Sequence, residues 1–93
     1  MSGQESAETL ALQVLTWMAG DDEIFTAFLS ASGASAPDVA GQAADPVFLA
    51  SVLDFLLLED RWIMGFCDAT GLRYDAPMRA RAALPGGGAM NWT

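Results

Sequence analysis

Proton chemistry near neutral pH is poorly supplied in this chain. It has no histidine, no lysine and a single cysteine, Cys67. A general base would have to be a carboxylate with a strongly raised pKa. Asp54 is the one candidate, because it interrupts the longest apolar run, 47–58. It also fits a solvent-facing polar stripe shared with Ser51. The acidic clusters Asp21-Asp22-Glu23 and Glu59-Asp60 have the residue types of a weak divalent-cation site. Consecutive side chains do not converge on one point, however, and helix capping and the helix dipole account for acids at such turns. Di-iron bundles need Glu-x-x-His pairs and zinc needs several Cys or His, and the composition supplies neither. Gly86-Gly87-Gly88 is no phosphate loop, since no strand signal precedes it and no lysine follows. Arg73, Arg79 and Arg81 suit either a small anion patch or a solvated end, and Arg79 and Arg81, two apart, do not share a helix face. Cys67 reads as a small buried apolar residue, with no Lys or His to lower its pKa. No catalytic, cofactor-binding or metal-ligating residue is assigned.

The elements that carry these residues are helices. Alternating β-branched runs and Asn-Gly or Asp-Gly turns are absent. Leu10, Val14, Trp17 and Met18 make one helical face over residues 6–19, and Gly20 is expected to end that helix in a left-handed conformation. Asp21 or Asp22 caps a second helix with Ile24, Phe25, Phe28 and Leu29 at i, i+4 spacing, ending at Gly33. Ser35 and Asp38 form a capping box, with Pro37 in the first turn of a short helix. Asp45-Pro46 starts a fourth helix, to about Leu58, that is apolar almost all round and therefore central. Glu59 or Asp60 opens a fifth that runs to Gly71. Asp75-Ala76-Pro77 begins a last short one. Residues 1–5 are expected to fray, and 86–93 to form a Gly-rich flexible tail carrying Trp92.

The chain also resembles itself. At an offset of 38, residues 9–34 lie over 47–72 with identities at Val14/Val52, Leu15/Leu53, Asp22/Asp60, Phe28/Phe66, Ala31/Ala69 and Gly33/Gly71. Trp17/Phe55 and Asp21/Glu59 are conservative. The fold expected is all-α: one domain over 6–85, a bundle of about six helices built from two copies of a ~38-residue three-helix unit, about 8–45 and 46–85, related by a pseudo-twofold axis. Identity across such a pair predicts that Val14, Leu15, Phe28, Val52, Leu53 and Phe66 are buried. Where the copies differ, the second is the more apolar: Gly20 becomes Leu58, Ala19 becomes Leu57, Ile24 becomes Trp62 and Thr26 becomes Met64. These four, with Trp92, are the candidate interface, the alternative being that an asymmetric core absorbs them.

Charge narrows the partners. The net charge is −8, and every base follows Glu59 and Asp60, in the last third of the chain. That field repels phosphate backbones, so nucleic acid is not expected. No segment is long and apolar enough to span a bilayer, the start lacks the features of a signal peptide, and a lone cysteine forms no internal disulfide. A cytoplasmic protein is expected.

The stretch Asp45-Pro46-Val47-Phe48-Leu49-Ala50-Ser51-Val52-Leu53-Asp54-Phe55-Leu56, followed by Asp60, Phe66-Cys67, Gly71, Arg79-Ala80-Arg81 and Leu84-Pro85-Gly86, resembles a small bacterial family catalogued as a domain of unknown function. The resemblance covers roughly residues 8–87. Members of that family carry Pro soon after each middle-helix Gly, where this chain has Ala36 and Tyr74. The resemblance implies a cytoplasmic bacterial protein and supplies no activity and no catalytic residue. The reading is a non-enzymatic protein-interaction or adaptor module acting on a protein partner or as a homodimer. The alternatives are a small enzyme or a metal- or anion-binding protein using Asp54 or the acidic turns, and an acidic nucleic-acid mimic.

Overall fold

Local capping chemistry sets where three of the helices begin. The computed structural model describes residues 3–85 and holds six helices: α1 (Gly3–Ala19), α2 (Asp22–Ser32), α3 (Ala36–Gln42), α4 (Pro46–Leu56), α5 (Asp60–Thr70) and α6 (Ala76–Ala82). No strand occurs among the described residues. Asp21 caps α2 by accepting from the amides of Glu23 and Ile24 at 3.0 and 3.2 Å. Ser35 and Asp38 close the expected capping box on α3. Asp45 accepts from the Val47 amide at 2.9 Å, with Pro46 in the first turn of α4. Glu59 occupies the corresponding place before α5 but its side chain makes no capping bond.

Several ends differ from the sequence expectation. α1 begins at Gly3, ahead of residue 6, and α4 stops at Leu56, ahead of Leu58. Gly20 is not left-handed: among the described residues only Gly33 and Gly71 have positive φ, both 75°. The turn after α1 instead stays tight, with the Gly20 amide donating to both Thr16 and Trp17 carbonyls. Leu58 donates to the Phe55 carbonyl in the same fashion, so the turn needs no glycine. The Gly-rich segment and Trp92 lie outside the described residues.

α1 and α4 pack together at the centre, α6 lies against both, and α2 leans on the same pair. The radius of gyration, 12.3 Å, matches the ~12 Å expected of one globular unit of this length. α4 buries seven of its eleven residues, as an all-round apolar helix should. All six residues expected in the core are buried. Phe28 meets Phe48 and Phe55 edge-on, at centroid distances of 5.9 and 5.4 Å. Trp17 meets Phe66 the same way at 6.0 Å. Both are favoured arrangements for aromatic pairs. Gly65 makes room for Trp17, because a Cβ there would stand 3.2 Å from its Cζ2.

Candidate functional site

α2 buries only Phe28 fully, while Ile24, Phe25 and Leu29 rest half-buried against the core. Three clefts lie end to end along α2. The first, of about 430 Å³, is lined by Trp17, Ile24, Ala27 and Trp62, with Asp21, Glu23 and Arg61 at its mouth. The second, of about 250 Å³, has Phe28 and Phe55 inside and Ala31, Ser32, Ser51, Asp54 and Leu58 around them. The third, of about 390 Å³, shares Ser32 and Ser51 with the second and continues to Phe48, Val47, Asp38 and Asp45. The first two meet where Phe55 stacks on Trp62 at 4.8 Å and 22°. Together they form a furrow with an aromatic floor and an acidic rim. Asp21, Glu23, Asp38 and Asp45 form no ion pair among the described residues. Arg61 on that rim bridges Glu59 at 3.4 Å and lies 5.8 Å over the Trp62 ring.

The sequence candidates scatter across this surface. Leu58 stands at the lip of the second cleft, 71% exposed. Trp62 is half-buried by its stack on Phe55 and walls the first cleft. Leu57 caps the end of α4 and is half-buried. Met64 is exposed but lies two residues from Trp62, about 200° round α5, so it points to another side. Asp54 is neither free nor merely solvated. Its Oδ1 accepts from Arg81 Nε at 2.6 Å, and Arg81 Nη1 donates to the Pro85 carbonyl at 3.3 Å. The pair ties α6 to α4. Arg81 is thereby separated from Arg73 and Arg79, which share Asp75 at 3.2 and 3.8 Å. The three arginines do not form one patch.

The acidic turns serve the helices. Asp21 is occupied by its cap, and Asp22, Glu23 and Asp60 sit in first turns, where the dipole favours them. No group of three or more His, Cys, Asp or Glu among the described residues is placed to hold a metal ion. Cys67 is buried and its thiol donates to the Arg73 carbonyl at 3.3 Å. Burial, followed by the charges of Asp68 and Asp75, pushes that thiol up from its ordinary value, so it stays protonated. No described helix is long and apolar enough to cross a membrane.

A family model described as a protein of unknown function, DUF3572, matches residues 4–87. The chain belongs to the DUF3572 family. No curated protein and no solved structure matches it. In this DUF3572 chain the furrow residues that sequence reasoning missed are small ones, Ala27, Ala31 and Ser32. Ala27 and Ala31 stand four apart on α2, and that was the available signal, since small side chains there leave a depression between α2 and its neighbours.

Proposed function

We propose that this DUF3572 member is a non-enzymatic protein-interaction module whose contact surface is the furrow along α2. The observation that carries the reading is a line of clefts walled by the half-buried Trp17, Ile24 and Trp62 and bordered by Leu58, which is 71% exposed. Contiguous apolar surface of that kind marks a contact. Each large side chain it buried would contribute about 1.5–3 kcal/mol before the costs of association. Asp54, already engaged by Arg81, is poorly placed as a base, which weighs against an enzyme. The rim acids fall at the two ends of the furrow instead of forming a row, which weighs against a nucleic-acid mimic. A second copy fits less well than another protein, since both surfaces would bring the same acidic rim. The lone buried thiol suits a cytoplasmic setting.

The furrow also fits a chain built twice over. The pairs Trp17–Phe66 and Phe55–Phe28 exchange under the 38-residue offset, and their interplanar angles, 73° and 71°, agree. Gly33 and Gly71 share φ 75° and the same closing hydrogen bond, to Leu29 and Cys67. On this reading the furrow arises where the copies diverge: Trp62 replaces Ile24, and Leu58 replaces Gly20. The third helices depart from it, since α6 lies on the central pair while α3 buries only Val39.

The test is capture of partners from an extract of the native host. Wild type, Leu58→Glu and Leu12→Glu are compared, Leu12 being an exposed apolar residue on α1 outside the furrow. Leu58→Glu should keep its helical circular dichroism and lose the partner, while Leu12→Glu keeps both. Identical capture by all three would refute the reading.

A further inference from the structure

We infer that the occupant of the furrow is a basic amphipathic α-helix of three to four turns from another protein. The inference rests on the interaction reading and adds the class of partner. Three features of the furrow define it. The first is backbone chemistry. The walls are mostly helical, a helix interior spends its amides and carbonyls on itself, and no strand occurs among the described residues, so the furrow offers no sheet edge for an extended peptide to pair with. An occupant held by side chains alone must satisfy its own backbone, which a helix does.

The second is dimension. α2 has eleven residues, about 16 Å of rise; the first two clefts succeed one another along it about one helical turn apart, and the third opens at its C-terminal end, from Ser32 onward. Apolar side chains at i, i+4 and i+7 of a docked helix fall at that interval. The first would meet Trp62 and Ile24, the second Phe55 and Leu58, and the third Phe48 and Val47.

The third is charge. Asp21 and Glu23 stand at one end, Asp38 and Asp45 at the other, and none of the four is paired with a base among the described residues. Asp54 is matched by Arg81, and Arg61 by Glu59. The furrow is thus negative at both ends on a chain of net charge −8. Lysines or arginines flanking the apolar face of the docked helix would meet both ends, and the field would speed their approach. An acidic helix, or an anionic lipid surface, would be repelled.

The experiment uses the full chain carrying Trp92→Phe, so that fluorescence reports Trp17 and Trp62, the two tryptophans that line the first cleft. Three synthetic 16-residue peptides are titrated: a Leu/Phe-faced helix with a Lys-rich polar face, the same helix with Glu for Lys, and a scramble of the Lys peptide that destroys the apolar face. The Lys helix should bind at least tenfold more tightly than either of the others. Its affinity should fall with added salt. Leu58→Glu, at an exposed position, and Trp62→Ala should each weaken it at least tenfold, and Leu12→Glu should not. Equal binding of the Lys helix and its scramble would reduce the effect to bulk charge and overturn the inference. So would preference for the Glu helix, or no saturable binding of any peptide. Should the peptides fail while Leu58→Glu still strips a captured partner, the class of partner is wrong and the interaction reading stands. Should both fail, both fall.

Discussion

Asp54 and Arg81 depend on each other more than either depends on water. Arg81 has 10% of its side chain exposed and Asp54 34%. Asp54→Ala removes the carboxylate from an enclosed guanidinium, leaving the Pro85 carbonyl bond in place, and is expected to cost about 2–3 kcal/mol, below the usual figure for a broken buried pair because water reaches the vacated side. Asp54→Asn still accepts from Nε and should cost about 1 kcal/mol. Urea denaturation of both variants checks the order. Cys67 gives a prediction in pH. Its folded pKa lies above the unfolded value, so its contribution to stability is complete below about pH 9 and is lost as pH rises through the folded value. Tyr74 acts in the same direction, because its hydroxyl donates to Asp68 at 2.7 Å and the Asp68 charge adds to that effect. Tm should therefore hold up to about pH 9 and decline above it, and Cys67→Ala should remove its own share of the slope. A flat profile in wild type would contradict this.

At the scale of elements, the two left-handed glycines and Gly20 separate cleanly. Gly33→Ala and Gly71→Ala force a side chain to φ 75° and should each cost about 1 kcal/mol. Gly20→Ala meets no such penalty, its new Cβ coming no closer than 3.5 Å to the Trp17 carbonyl oxygen. It should be neutral or slightly stabilising, and thermal melts of the three variants decide the point. The contrast marks what the sequence could convey. Caps at Asp21, Ser35 and Asp45 were legible because each is a bond between neighbours in the chain. The Gly20 turn was misread because glycine permits the left-handed state without requiring it, and Leu58 closes an equivalent turn right-handed. The Asp54–Arg81 bond was not legible, since its partners lie 27 residues apart and meet only through the packing of α6 on α4.

For the whole molecule, the core is shared between the halves of the chain. Phe28 rests on Phe48 and Phe55, and Phe66 on Trp17. A fragment of residues 1–44 and another of residues 45–93 should each be poorly helical alone and gain helicity when mixed, as circular dichroism would report. Substantial helicity in either alone would mean that each half packs a core of its own. The excess of negative charge makes a second prediction. Self-repulsion at net charge −8 is screened by salt, so Tm should rise between about 20 and 200 mM sodium chloride. At this scale the bundle and its core were legible from periodicity. The furrow was legible only in part. Leu58 and Trp62 declared themselves by size, whereas Ala27 and Ala31 matter by the space their small side chains leave.

Gly65 was described above as the gap that admits the Trp17 ring, and that vacancy has a dynamic consequence. Glycine inside a helix weakens it by about 1 kcal/mol relative to alanine. The two residues that α5 buries, Phe66 and Cys67, both lie beyond that point. The first turns of α5, which carry Trp62, are held by the half-buried Trp62 and Ile63 with no fully buried side chain, and are joined to the rest at that glycine. They should open as a unit while α4 stays closed, and their amide hydrogens should exchange about fivefold or more faster than those of α4. One wall of the furrow is thus a leaf on a hinge, able to move at little cost to the body of the protein.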